Sequence, residues 1–228
     1  MRKVLITGAD RGVGYALAEL FAINGWKVFA GQFMPEWKQL EGLKKRFPDF
    51  LELLPLDVSS HESVEQAIHL ISKKTDILDM LVNVAGISQC GSRDAMLAVF
   101  RVNTIGPIQM VEAALPLMKS GMKRICIVSS EAGSISVAHR KECSAYCMSK
   151  TALNMAARLM FNQLQKEGYT FRLYHPGWVR SYMQGAKSAN GYFEPEDAAI
   201  TAYKQFTTDR TWEDTLVMTD VLDMTWPF

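Results

Sequence analysis

Tyr146 and Lys150 stand four positions apart in the stretch Tyr146-Cys147-Met148-Ser149-Lys150. On a helix that spacing puts a phenol and an ammonium on one face. A free tyrosine titrates near ~10, and a neighbouring ammonium favours its phenolate form. The pair therefore reads as a general acid/base, Tyr146, with Lys150 as its electrostatic tuner. Ser130 ends the apolar run before it and offers a hydroxyl to a substrate oxygen. Far upstream, Thr7-Gly8-Ala9-Asp10-Arg11-Gly12-Val13-Gly14 follows the apolar Val4-Leu5-Ile6 and leads into a helix faced by Val13, Leu17, Leu20 and Phe21. A dinucleotide pyrophosphate needs backbone amides aimed at it and no Cβ in the way. Gly8 permits the turn out of the strand, Gly12 lets the backbone approach a phosphate, and Gly14 lets the helix pack on the sheet. The two stretches together imply hydride transfer with a tyrosine as proton donor.

These groups need a scaffold, and the apolar pattern supplies one. Strands are expected near 2–7, 27–31, 51–55, 78–83, 123–129, 170–175 and 214–218, and helices near 12–24, 36–46, 60–74, 93–119, 143–167 and 195–207. The strands are short and apolar on both faces, as when helices cover a parallel sheet. Their alternation with helices implies right-handed crossovers and a doubly wound parallel sheet with helices on both faces. No linker divides residues 1–228, so one domain is expected. Residues 183–195 have turn composition and precede a helix start at Glu194-Pro195-Glu196-Asp197. Gly106-Pro107 and Leu115-Pro116 predict kinks in the long fourth helix.

The Gly-x-x-x-Gly-x-Gly spacing after a threonine resembles that of the short-chain dehydrogenase/reductase family. Further stretches extend the resemblance along the chain. Leu56-Asp57-Val58 resembles the family's acidic residue beside the adenine. Asn83-Val84-Ala85-Gly86 is similar to its Asn-Asn-Ala-Gly segment, with Val84 in place of the second Asn. Val102-Asn103-Thr104 resembles the helix with the structural-catalytic Asn, Ser129-Ser130 the strand end with the catalytic Ser, and Tyr146 and Lys150 the Tyr-x-x-x-Lys pair. Pro176-Gly177-Trp178-Val179-Arg180-Ser181 is similar to Pro-Gly-x-Val-x-Thr, and the ending Val221–Pro227 resembles compact carbonyl-reductase-like members. The resemblance implies a Rossmann-type fold, catalytic Asn103, Ser130, Tyr146 and Lys150, and a water held by Asn103. It also implies a cofactor site of Gly8, Asp10, Arg11, Gly12, Val13, Gly14, Gln32, Asp57, Val58, Asn83, Ala85, Gly86, Tyr146, Lys150, Pro176, Gly177, Val179 and Ser181. The Ser130–Tyr146 interval is longer than the family's usual spacing, and the extra residues are expected at His139–Cys143, beside the substrate.

At the end of the second strand Gln32 stands where an NAD site usually places an acid for the ribose hydroxyls. Without that acid a 2′-phosphate is not repelled, and Arg11 offers it a planar fork. NADP(H) is therefore favoured, with NAD(H) open. Pocket walls are expected from Ile87–Cys90, from Ser134–Lys141, and from Trp178, Tyr182, Met183, Tyr192 and Phe193, with residues 182–195 forming a substrate loop. This apolar and aromatic rim suits a hydrophobic carbonyl or alcohol. His139-Arg140-Lys141 reads as a solvated loop.

The chain has 228 residues and a net charge of +1, which gives no electrostatic case for nucleic acid or an anionic membrane. No apolar run approaches the ~20 residues of a membrane span, and the apolar run after Met1-Arg2-Lys3 is too short for a signal peptide. Cys90, Cys126, Cys143 and Cys147 have no metal spacing and read as reduced thiols of a cytoplasmic protein. No metal site is expected. The long Met-, Ala- and Leu-rich helices suit a homo-oligomer, a dimer or tetramer. The reading is an NAD(P)-dependent oxidoreductase acting on a carbonyl or secondary alcohol. The alternative is a catalytically weak regulatory or signalling protein that binds cofactor on the same fold. An epimerase or dehydratase fits less well, since little chain follows Ser181.

Overall fold

A computed structural model describes residues 1–183 and 185–228. Eight strands form one sheet: β1 (Lys3–Ile6), β2 (Lys27–Gln32), β3 (Leu51–Pro55), β4 (Met80–Asn83), β5 (Arg124–Val128), β6 (Thr170–His175), β7 (Met218–Asp220) and β8 (Thr225–Trp226). Their order is β3-β2-β1-β4-β5-β6-β7-β8, all parallel except the last pair. The order reverses between β1 and β4, the crevice where ligands bind in doubly wound sheets. The helices are α1 (Gly12–Ile23), α2 (Gln39–Arg46), α3 (His61–Ser72), α4 (Arg93–Phe100), α5 (Gly106–Met118), α6 (Ser144–Leu164) and α7 (Pro195–Thr207). Among the described residues, no helix is long and apolar enough to cross a membrane.

Side-chain alternation along the strands divides the core. Leu5, Leu81, Ile125 and Leu173 face one layer with α3, α5 and α6 residues. Val4, Ile6, Met80, Val82, Cys126 and Tyr174 face the other, with α1, α2 and α7 residues. Both faces are covered, which is why these strands carry apolar residues at consecutive positions. Helix starts follow local chemistry. Ser60 and Ser92 accept the N–H groups of Ser63 and Ala95 to open α3 and α4. Glu194 and Asp197 form a capping box ahead of α7, with Pro195 in its first turn.

Four sequence expectations need correction. The long helix over 93–119 is interrupted by a π-helical turn at Arg101–Ile105, ahead of both prolines, and Pro116 lies inside α5. Pro107 instead occupies the first turn of α5, where its missing N–H is tolerated. The last parallel strand is Met218–Asp220, later than 214–218, because Arg172 holds Glu213 and keeps the preceding segment off the sheet. A short antiparallel β8 follows, made by the Asp220 carboxylate, which accepts the N–H groups of Leu222 and Met224 and the Trp226 indole. Finally, Cys90 and Cys143 form a disulfide, so only Cys126 and Cys147 are free thiols. The fold brings their Cα atoms to 5.3 Å although 53 positions separate them in sequence.

Candidate active site

The glycine loop bridges β1 and α1 at the carboxyl end of the sheet. Gly8 and Gly12 have φ of 63° and 61°, and a Cβ on Gly14 would lie 2.1 Å from the Gly8 carbonyl oxygen. Only glycine there lets the helix start this close to the strand. Thr7 and Asp10 hold the loop from behind. The Thr7 hydroxyl accepts the N–H groups of Val84 and Ala85 at 3.0 and 3.1 Å. The buried Asp10 carboxylate accepts those of Phe33 and Met34. Asp10 thus positions the end of β2, with its carboxylate committed to protein amides. Val13 lies half-buried at the start of α1. Arg11 points outward, its guanidinium 4.6 Å above the Trp37 ring and 3.5 Å from the Gly185 carbonyl.

Two side-chain amides beside this loop hold buried atoms with no partner among the described residues. Asn83, at the end of β4, has neither its Nδ2 nor its Oδ1 hydrogen-bonded, and Gln32, at the end of β2, has a free Nε2. Buried polar atoms are rarely left so, and these two flank β1 on either side in the sheet. Asp57 and Val58 lie just after β3. Asp57 accepts from the Ser59 amide and hydroxyl, and the Val58 carbonyl accepts from Gln109. Both therefore build the turn into α3 with groups a ligand would otherwise meet.

Across the crevice, α6 presents Tyr146 and Lys150. Gly133 permits the approach: a Cβ there would lie 2.6 Å from the Lys150 backbone. Ser129 and Asn154 lock the same contact through a 2.6 Å hydrogen bond. Ser130, just past β5, accepts the Ala132 amide, and its hydroxyl bears on the Tyr146 phenol. The Lys150 ammonium donates to the Val128 carbonyl at 3.0 Å and sits 5.9 Å from the Tyr146 ring centre. Burial pushes the phenol above its ordinary value, while the Ser130 hydroxyl and the Arg140 guanidinium pull it down. Burial pushes Lys150 down to about 8. The expected lowering of the phenol by its lysine is therefore overturned in the ligand-free protein, because desolvation acts on both groups first.

Asn103 lies wholly buried in the π-helical turn. Its carboxamide accepts the Ile87 N–H, and donates to the Ile87 carbonyl and the Ser149 hydroxyl. The side chain thereby clamps the strand-end loop after Gly86. Gly86 faces Asn103 Oδ1, Lys150 Nζ and Met183, so this backbone borders the cavity of both halves. The Pro176-Gly177 turn and Val179 close the third side. Val179 bridges Phe193, and Arg180 and Tyr192 bond across the base of the following loop. Ser181 lies half-buried there, its carbonyl accepting the Ser188 N–H. Gln184, within that loop, is outside the described residues. Among the described residues no cluster of metal-ligating side chains occurs.

Residues 2–191 match the family model described as short chain dehydrogenase. The chain belongs to the short-chain dehydrogenase/reductase family. It is 31% identical over 210 residues to a 1-hydroxy-2-glutathionyl-2-methyl-3-butene dehydrogenase from Rhodococcus sp., covering 90% of each. It is 39% identical over 118 residues to the C-signal of Myxococcus xanthus, covering 49% of this chain and 71% of that one. A crystal structure of NADPH-bound carbonyl reductase from chicken fatty liver superimposes with a TM-score of 0.87 at 25% identity, covering 100% of this chain and 99% of that one. These likenesses support NAD(P)-dependent oxidoreduction.

Trp37 was not read from the sequence as a site residue, while Thr7 ahead of the glycine loop and Tyr182 and Arg140 in the expected pocket walls take roles that the sequence did not show. Trp37 supplies the face on which Arg11 rests, and Tyr182 packs edge-on against it at 5.4 Å. Thr7 ties the glycine loop to the end of β4. Arg140, expected in a solvated loop, pairs with Glu131 and bears on Tyr146. No periodicity marks such loop residues. Only the proximity of Arg140 to the family's Ser–Tyr interval offered a signal.

Proposed function

We propose that this chain is an NADP(H)-dependent reductase of a hydrophobic carbonyl, or the corresponding alcohol dehydrogenase. The observation that carries the reading is the convergence of the Ser130 hydroxyl on the Tyr146 phenol, one helical turn before the buried Lys150 amine. The residues present fit a dinucleotide: the unpartnered Asn83 and Gln32 amides border a loop that a Cβ at Gly14 would block. The backbone amides of Gly12, Val13 and Gly14 would meet the pyrophosphate. Asn83, Ala85, Gly86, Asp57 and Val58 would border the adenosine side, and Pro176, Gly177, Val179 and Ser181 the nicotinamide side. Arg11, stacked on Trp37, would meet the 2′-phosphate, which no acid at Gln32 repels. When bound, the nicotinamide supplies or accepts the hydride.

Tyr146 holds the proton at its phenol oxygen. Ser130 orients the substrate oxygen toward it, and Lys150 stabilises the phenolate left behind. Asn103 keeps the Ile87 segment in place so that these groups converge. We place the substrate under residues 182–195, beside Trp178 and Tyr192, within a single domain spanning 1–228. The exposed Met148, Met155 and Leu159 on α6 support a homo-oligomer.

Titration of the purified protein with NADPH and NADH, read by nicotinamide fluorescence, tests the reading. Tighter NADPH is the expected result. Tighter NADH would retain the reductase and overturn the Arg11 assignment, and binding of neither would sink both. The likeness to a protein named C-signal favours the regulatory alternative over other classes. Turnover of a panel of aromatic and aliphatic ketones with the preferred cofactor decides between them.

A further inference from the structure

The Cys90–Cys143 disulfide lies outside the catalytic set, yet both ends border the cleft. Cys90 ends the segment that begins at Ile87, which Asn103 clamps. Cys143 is the last residue before α6, three positions ahead of Tyr146. Cys90 is exposed and Cys143 half-buried, so solvent reaches the bond from the Cys90 side. A cavity of about 120 Å³ opens beside it, lined by both cysteines with Ser92, Met96 and Ser144. That volume admits the thiol-bearing end of a small molecule.

The two sulfurs are chemically unequal. Cys143 is the N-cap residue of the 21-residue α6, and its side chain makes no capping hydrogen bond. The first-turn N–H groups lack intrahelical acceptors, and the helix start carries partial positive charge. A thiolate on Cys143 is stabilised there, and the better-stabilised thiolate is the better leaving group. Cys90 has no such support.

We propose that the Cys90–Cys143 disulfide is a thiol-exchange site, at which a low-molecular-weight thiol of the glutathione class attacks Cys90 and releases Cys143. The incoming thiolate forms a new S–S bond to Cys90 Sγ. The electron pair of the broken bond goes to Cys143 Sγ, which takes a proton from solvent. A second thiol then attacks the added sulfur, leaving Cys90 as a thiol and two small thiols joined as a disulfide. The protein gains two electrons and two protons, and the two small thiols are oxidised. Opening the bond unties the Ser88–Cys90 wall from the start of α6, while the glycine loop, Gln32 and Asn83 keep their supports. Substrate KM is the parameter that moves, and cofactor KM stays. This effect on turnover rests on the reductase reading; the exchange itself does not.

Thiols are counted by iodoacetamide labelling in denaturant and intact mass. Aerobically prepared protein should carry two labels, at Cys126 and Cys147, and excess reduced glutathione or dithiothreitol should raise the count to four. Cys143→Ser, which lacks the resolving thiol, should retain one glutathione after treatment with oxidised glutathione, and peptide mapping should place it on Cys90. Reduced wild type should show substrate KM raised about threefold through lost preorganisation, with NADPH KM unchanged. Cys90→Ser should show the raised value with no response to glutathione. Four labels without treatment, a bond that dithiothreitol opens and glutathione does not, or glutathione mapped to Cys147 would each overturn the proposal. An unmoved substrate KM would overturn its link to the cleft. If no ketone is turned over, the labelling and mapping still decide the exchange site.

Discussion

The two ends of the sheet handle buried polarity in opposite ways. At the amino end, Arg124 and Arg172 are 2% and 1% exposed, and their guanidiniums are surrounded by acceptors. Arg124 donates to Thr170, to the Phe206 and Thr208 carbonyls and to Asp209. Arg172 donates to the Gln205, Phe171 and Thr208 carbonyls and, through a two-point fork at 2.6 Å, to Glu213. At the carboxyl end, Asn83 and Gln32 hold buried amide atoms with no partner among the described residues, Tyr146 is pushed up, and Lys150 is pushed down to about 8. Buried donors with a full set of partners build the fold. Buried donors without them mark where another molecule completes the set.

Substitutions at the two ends should therefore separate activity from stability. The largest effect is expected for Tyr146→Phe, which should lower kcat about a thousandfold with an unchanged urea midpoint. Normal turnover in this variant would remove the phenol from the mechanism. At the opposite end, Glu213→Gln leaves the Arg172 charge buried with a weaker partner. It should cost about 3 kcal/mol of unfolding free energy in urea titration, with cofactor affinity retained; a loss of cofactor binding in a folded variant would blur the division. Arg11→Ala should weaken NADPH about tenfold through loss of one charge-assisted contact and leave NADH unchanged, read by fluorescence titration.

The smallest effect is a pH dependence. Lys150 is depressed to about 8 from an ordinary 10.5, so between these values the unfolded chain binds more protons than the folded one. Stability of the ligand-free protein should therefore gain from this group as pH rises through that window, with its full destabilising effect below about 8. The raised Tyr146 phenol acts oppositely above 10. Comparing urea midpoints of wild type and Lys150→Met from pH 8 to 10 isolates the lysine, and parallel profiles would show that it is not depressed.

Legibility from sequence followed the same division. β1, β2, β4, β5 and β6 were readable because both faces are buried, so each strand announces itself as an apolar run. The glycine loop and the Tyr146–Lys150 pair were readable because their chemistry fixes a short local spacing. The π-helical turn at Arg101–Ile105 was not, since its cause is the tertiary clamp of Asn103 on Ile87 and Ser149 rather than the nearby prolines. The Asp10 carboxylate accepts the Phe33 and Met34 N–H groups and the Asn103 carboxamide bonds to Ile87 and Ser149, partners that no local spacing marks. A sequence gives the presence of a carboxylate or amide and not the direction it faces. The disulfide and the Arg11–Trp37 stack join residues from separate loops, which no periodicity connects.

The Val128 carbonyl that receives the Lys150 ammonium has a consequence for heat and protons. A lysine held near 8 is only partly charged in mildly alkaline buffer, and among the described residues its amine donates to one carbonyl. Any ligand that brings oxygens to that amine restores its charge, and the missing proton must come from the medium. Ligand association at this site is then a proton-consuming event, with an apparent enthalpy that shifts with the ionisation heat of the buffer and an affinity that declines as the solution becomes more alkaline. The resting protein is in this sense a proton sink that only its ligand opens.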